Sequence, residues 1–212
     1  MKSFGALLKK DWHNHLQSIG PALLLSGSLL LLIQWTQSPS PANHVAWESA
    51  FCLSFFVASM SVFYRSFGQE HASQNFQIYT AFNIARWKIL LSQSMLHLWT
   101  LILLAGSTFL LTFIFWPPFD YSLSHIALLS LFFPLCLAPL GALLGLMLQR
   151  EREFLFAITY LPLATPIFLG LHQLLSQGFA GIWLRVLFSF ALVSGFLSFF
   201  VFENYFDELT KE

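Results

Sequence analysis

Six long apolar runs, almost free of charged residues, constrain this chain more than any other feature of its sequence. A membrane-spanning helix needs about 20 mostly apolar residues, whereas a barrel strand is shorter and alternates in polarity. Because these runs are continuous, the sequence predicts an all-α integral membrane protein with six transmembrane helices in a single domain, 1–212. The runs are Ile19–Trp35, Ser49–Tyr64, Ile89–Trp116, Leu123–Leu148, Phe154–Leu175 and Ile182–Phe202.

The overall composition supports a membrane protein and excludes other classes. Charged residues make up 9% of the 212 residues, against about 25% in a typical soluble domain. The 10 Lys and Arg balance the 10 Asp and Glu, which argues against a basic nucleic-acid binder. Cys52 and Cys136 both lie within apolar runs, so the sequence gives no sign of a disulfide framework.

The placement of Lys and Arg predicts the orientation of the six spans. Basic residues concentrate on the cytoplasmic side of a membrane. If both termini are cytoplasmic, Arg185 is the sole basic residue at the outer side. The others then fall on the inner side: Lys2, Lys9, Lys10, Arg65, Arg86, Lys88, Arg150, Arg152 and Lys211.

The first 18 residues have two interpretations. Apolar residues recur there at steps of three and four, with Lys9, Lys10 and Asp11 between them, which favours an amphipathic helix in the inner interface. The same basic pair before the apolar run Ala22–Ile33 also loosely resembles a signal peptide. We favour the interfacial helix, because the segment before the apolar run is long and patterned.

The segment 65–88 is the one sizeable polar stretch predicted on the inner side. It contains no Pro and a single Gly, Gly68, so it can form a helix with one apolar face. Such a helix either joins two spans at the interface or docks a cytoplasmic partner. The residues that we expect to make the docking surface are Phe67, Glu70, His71, Phe76, Gln77, Tyr79 and Phe82.

Catalytic motifs are missing from the sequence. Ser26-Gly27-Ser28 lies in an apolar run without a plausible base at the same depth, and the chain contains neither a phosphate-binding P-loop nor an H-E-x-x-H zinc motif. We therefore expect a chain that is not an enzyme, with no bound metal, and any ATP hydrolysis on a separate partner.

Three short motifs resemble those of a known transporter family. The order of elements, with an amphipathic start, two spans, a polar inner helix and four further spans, also matches. The motifs are Leu7-Leu8-Lys9-Lys10-Asp11, then Phe67-x-x-Glu70 with Phe76-Gln77-x-Tyr79 and Lys88, and Leu161-Pro162-Leu163-Ala164-Thr165-Pro166 ending in Gly170.

The chain thus resembles ABC-2 type export permeases, and most of all the haem exporter protein B (CcmB) family of cytochrome c maturation. The resemblance implies a permease subunit in the bacterial inner membrane, with an ABC ATPase docked on Ser66–Phe82 and two copies of each chain. It implies other haem-handling membrane proteins as partners, no firmly bound cofactor, and haem as a possible substrate. Transport of haem itself and release of a haem-carrying partner both remain open.

Two further functions fit the same sequence. One is an ABC-2 permease that exports lipid, polysaccharide or drug, and the other is a non-transporting scaffold for haem-handling membrane proteins.

Within the spans, a few residues are candidates for transport or haem contact. Ionisable groups inside a membrane often mark function, and haem iron accepts imidazole, although a buried His also forms ordinary interhelical hydrogen bonds. Glu48 and Arg185 could form an ion pair at the outer ends of their spans, or could extend to the interface independently. The transport candidates are His97, Trp99, Pro162, Pro166 and His172.

Overall fold

The protein is a bundle of helices. A computed structural model describes residues 2–36, 47–72, 85–115, 123–147, 153–177 and 181–209, and all of these except Ala85 are helical. The helices are α1 (Lys2–Thr36), α2 (Trp47–Ala72), α3 (Arg86–Phe115), α4 (Leu123–Met147), α5 (Glu153–Gln177) and α6 (Gly181–Leu209). The all-helical prediction is confirmed for the described part of the chain.

Within the part of the chain that the structure describes, four helices are long and apolar enough to cross a membrane. The qualifying stretches are Gln17–Thr36 of α1, Trp47–Arg65 of α2, Arg86–Phe115 of α3 and Gly181–Asn204 of α6. Among the described residues, α4 contributes a shorter apolar stretch, Leu131–Ala142. Each of the four spans agrees within a few residues with a run predicted from the sequence.

Two predicted segment boundaries fall inside uninterrupted helices. The proposed interfacial segment 1–18 and the first span form the single 35-residue helix α1, which continues through Pro21. Likewise, α2 passes Arg65 and continues to Ala72, so the beginning of the polar inner segment belongs to the same helix as the second span.

The centre of the bundle lies where α2, α3, α4 and α5 meet, while α1 packs on α2 and α3 and α6 packs mainly on α4 and α5. Aromatic side chains fill this centre. Phe55 of α2 lies 5.2 Å from Phe133 of α4 and 6.3 Å from Phe168 of α5, measured between ring centroids. Phe133 and Phe168 meet edge to face at 4.9 Å, a favourable geometry for aromatic rings.

The outer surface of the bundle is strongly apolar. Large side chains on the outside include Leu24 of α1, Leu110 of α3, and Phe196 and Phe200 of α6, all more than 60% exposed. In water such an extensive apolar surface would drive association. When hydrocarbon chains surround the bundle, its apolar surface is no longer exposed to water, so the bundle is suited to a lipid bilayer.

Candidate functional site

The predicted docking residues fall in two groups. The backbone of Phe67, Glu70 and His71 lies in the last turns of α2, beyond its membrane-spanning stretch. The other four predicted residues lie outside the residues that the structure describes: Phe76, Gln77, Tyr79 and Phe82.

His97 lies in the middle of α3 and is fully buried. Its ring stacks on Phe63 of α2, with centroids 5.4 Å apart and an interplanar angle of 16°. Its Nδ1 lies 2.8 Å from the carbonyl oxygen of Gln93, one turn earlier on the same helix. His97 is therefore part of the packed interface between α2 and α3.

Polar atoms next to this stack join α2 to α5. The hydroxyl oxygens of Ser59 and Tyr160 lie 2.8 Å apart, and both side chains are buried. Ser59 also lies 2.7 Å from the carbonyl oxygen of Phe56, to which it donates. Since the Tyr160 ring lies 5.9 Å from Phe63, the hydroxyl pair and the His97 stack form one cluster, which we call the buried polar cluster.

Gly141 of α4 packs against the Phe63 ring of the buried polar cluster. A Cβ atom at this position would overlap the ring of Phe63. The absence of a side chain therefore allows α4 to approach α2 closely, as small residues do between membrane helices.

The structure separates the remaining transport candidates from His97. Trp99 follows His97 by two positions, so it points away from it, and 53% of its surface is exposed on the outside of the bundle. Pro162 and Pro166 are also exposed, on one side of α5, which continues through both. These residues and His97 do not converge on one site.

His172 contributes to a second polar feature, near the end of α5. Its Nε2 lies 3.0 Å from the hydroxyl oxygen of Ser49, in the first turn of α2. Both side chains line a largely apolar cleft between the two helices. The sequence singled out His172 but not Ser49, because nothing in the sequence pairs two residues that lie 123 positions apart.

Glu48 and Arg185 lie in the first turns of α2 and α6. Glu48 is 9% exposed, while Arg185 is exposed. Their pairing stays a prediction.

Hydrogen-bonding hydroxyl groups inside the spans were not selected from the sequence. Ser26 of α1 and Thr108 of α3 lie 3.0 Å apart and are fully buried. Thr108 belongs to a polar side of α3 that begins with Gln93 and continues at steps of four, three and eight residues with His97, Thr100 and Thr108. This periodic polar stripe in an apolar helix is the signal that could have revealed the interface.

Among the described residues, no three His, Cys, Asp or Glu side chains come together in a way that could hold a metal ion. No family model, curated protein or solved structure matches the chain. The fold by itself defines the class, which is an all-helical protein with helices suited to cross a membrane.

Proposed function

We propose that this chain is the membrane-spanning permease subunit of an ABC-2 type exporter, acting in the haem-handling step of cytochrome c maturation. The observation that carries the proposal is the continuity of α2, which leaves its membrane-spanning stretch at Arg65 and continues to Ala72 without a break. A transporter driven by a separate ATPase needs such a rigid connection between the partner's docking surface and the spans.

The length of this extension suits a mechanical role. Seven residues beyond Arg65, at 1.5 Å per residue, project about 10 Å past the span. Phe67, Glu70 and His71 lie on this projection. The remainder of the proposed docking surface, up to Phe82, follows along the chain.

The packing of α2 explains how a movement of the projection would reach the rest of the bundle. In the described part of the chain, α2 contacts α1, α3, α4 and α5. Because tightly packed membrane helices move as units, a tilt of α2 would displace all four neighbouring helices.

Six spans fit the proposed topology, with both termini in the cytoplasm of a bacterium and the protein in its inner membrane. The helices α4 and α5 have 25 residues each. At 1.5 Å per residue each is about 38 Å long, which exceeds the roughly 30 Å thickness of the hydrocarbon core. An even number of spans keeps most of the basic residues on one side.

In this proposal the chain has no enzymatic activity and no firmly bound cofactor. An ABC ATPase subunit supplies the energy, two copies of each chain form the complex, and other haem-handling membrane proteins associate with it. Haem is the proposed substrate, either by itself or bound to a partner that the complex releases.

Co-purification with the ATPase tests the docking claim. Deletion of Gln69–Tyr79, with membrane insertion retained, should abolish co-purification. As a milder test, alanine at Phe76, Tyr79 and Phe82 should weaken co-purification, whereas alanine at Gln74 and Asn75 should not. Full retention of the ATPase in the deletion variant would contradict the proposal.

ATP hydrolysis by the reconstituted complex separates the three candidate functions. Hydrolysis that requires this subunit and is stimulated by haem or by the haem-carrying partner supports the proposal. Stimulation by lipid, saccharide or drug instead would indicate another ABC-2 permease. Hydrolysis that is independent of the subunit would indicate a scaffold.

A further inference from the structure

A cleft of about 280 Å³ lies between α2 and α5, near the end of the bundle where α2 begins and α5 ends. Its walls are apolar, with Leu53 and Phe56 on α2 and Leu161 and Leu169 on α5. Leu53 and Leu169 are both at least half exposed, so the cleft opens to the outside of the bundle. A molecule dissolved in the bilayer can therefore enter it from the side.

Two polar side chains of the cleft, Ser49 and His172, lie at one end. A third, Thr165, lies nearer the middle and donates its hydroxyl proton to the Leu161 carbonyl of its own helix. Ser49 is two residues from the start of α2, and His172 is five residues from the end of α5. At 1.5 Å per residue these positions lie about 3 Å and 8 Å inside the helix ends. Trp47, at the start of α2, is the kind of residue that lies at the boundary between headgroups and acyl chains.

The apolar walls extend from this end toward the middle of the bundle. Phe56 lies seven residues beyond Ser49, or about 10 Å along α2. Leu161 lies eleven residues before His172, or about 16 Å along α5. The cleft is consequently elongated along the helix axes, with the pair of Ser49 and His172 at headgroup depth. The remainder, in the hydrocarbon region, is mainly apolar, since the Thr165 hydroxyl is bonded within its own helix.

The pair of Ser49 and His172 can donate a hydrogen bond to a ligand. A serine hydroxyl carries one proton and a neutral imidazole carries one N–H. Their mutual contact at 3.0 Å uses one of these two protons, whichever tautomer the imidazole adopts. The other proton lies on the Ser49 hydroxyl or on Nδ1 of His172, according to the tautomer, and makes no further hydrogen bond within the described residues. The matching ligand group is therefore a hydrogen-bond acceptor.

From this geometry we propose that the cleft binds one acyl chain of a membrane phospholipid, whose ester carbonyl accepts a hydrogen bond from the pair of Ser49 and His172. A phospholipid carries an acceptor at the boundary depth and a flexible apolar chain below it, in the same order as the cleft. The site does not depend on the proposed transport function, because it requires only that the helices lie in a bilayer.

Photochemical labelling of the full chain in lipid vesicles tests this proposal. The probe is a phosphatidylcholine with a diazirine in the middle of one acyl chain, and labelled peptides are quantified by mass spectrometry. We expect the label to concentrate on the α2 and α5 peptides that line the cleft. A diazirine at the chain end should shift the label from the depth of Phe56 toward that of Leu161.

Three variants locate the determinants of binding. Leu53→Trp should block the cleft, and the double variant of Ser49→Ala with His172→Leu should remove both donors of its polar end. Loss of the hydrogen bond to the ligand, at about 0.5–1.5 kcal/mol, corresponds to about two- to tenfold weaker labelling in the double variant. The matched control is Leu197→Trp on α6, since Leu197 is 48% exposed, Leu53 is 50% exposed, and Leu197 lies outside the cleft.

Other occupants would give different results, and each would overturn the proposal. Equal labelling of the cleft and of lipid-facing leucines elsewhere would show nonspecific lipid contact. Equal labelling of the cleft by a photoactivatable alkane without a carbonyl would show that the polar pair plays no part. Preference for a free fatty acid probe, or loss of labelling when a partner chain is present, would identify a different ligand or a protein interface. If the double variant does not fold, Ser49→Ala with His172→Phe replaces it, with reduced labelling again expected.

Discussion

The hydroxyl oxygens of Ser59 and Tyr160 lie 2.8 Å apart in the interior of the bundle, although the two residues are 101 positions apart in the chain. Tyr160 is the largest fully buried side chain among the described residues. Its ring also lies 5.3 Å from Phe56 and 5.9 Å from Phe63. One residue thus combines a hydrogen bond with aromatic packing at the contact between α2 and α5.

Tyr160→Phe should reduce stability only slightly. Hydrogen bonds between membrane helices contribute about 0.6 kcal/mol on average and at most about 1.7 kcal/mol. Ser59 retains its bond to the carbonyl of Phe56, so no buried hydroxyl loses its last acceptor. The free energy of unfolding, measured by denaturing-detergent titration, should fall by less than about 2 kcal/mol.

Tyr160→Ala serves as the comparison, because it also removes the ring. Removing a large buried aromatic side chain costs about 3–5 kcal/mol. If Tyr160→Phe and Tyr160→Ala lower the free energy of unfolding equally, ring packing is not the main contribution of Tyr160 to stability.

Gly141→Ala should destabilise the protein by about 1–3 kcal/mol, the usual cost of overpacking. The added methyl group would overlap the Phe63 ring, which is held between His97 and Tyr160 and has little room to move. Gly195→Ala on α6 is the matched control, since nothing lies within 4 Å of the added Cβ. The same detergent titration should show a loss for Gly141→Ala and none for Gly195→Ala.

Phe63→Leu should partly restore the stability of Gly141→Ala, because a smaller side chain leaves room for the methyl group. In a double-mutant cycle the two changes should then be non-additive. Additive losses would mean that Phe63 does not limit the approach of α4.

The hydrogen bond between Ser26 and Thr108 should couple α1 to α3. A double-mutant cycle of Ser26→Ala and Thr108→Val should give a coupling energy of about 0.6 kcal/mol. Ser28→Ala is the control partner, because the Ser28 hydroxyl is exposed and bonds within its own helix, to Leu25. A coupling energy of zero for Ser26 and Thr108 would contradict the interhelical bond.

Gly68→Pro should uncouple the projection of α2 from its membrane-spanning stretch. Proline inside a helix costs about 3 kcal/mol and kinks or breaks it. Gly68→Ala preserves helical continuity and serves as the control. If the proposed ATPase acts through α2, ATP turnover of the reconstituted complex should fall in Gly68→Pro and not in Gly68→Ala, with insertion equal in both.

Unchanged turnover in Gly68→Pro would show that helix continuity at this position is not needed for coupling. A loss of insertion would be visible in membrane fractionation before turnover is measured.

Part of the candidate site could be predicted from the sequence. An ionisable residue in an apolar run is conspicuous, so His97 and His172 could be singled out. Their surroundings could not be predicted, because Phe63, Gly141 and Ser49 lie on other helices and look ordinary in their own segments. The sequence segment Ser26-Gly27-Ser28 offers no catalytic motif, and the structure pairs Ser26 with Thr108 in a buried helix contact.

The sequence alone predicts that the described chain is helical and, within a few residues, where four of its apolar spans lie. The reason is that long apolar runs in a bilayer must satisfy their backbone hydrogen bonds within each run. Which sides of the helices meet follows from their packing in three dimensions. In this bundle those contacts depend on close fit, as where Gly141 packs against Phe63. They also depend on single hydrogen bonds, such as the bond between Ser59 and Tyr160. Lipid-facing and buried surfaces are both apolar, so hydrophobicity alone cannot distinguish them.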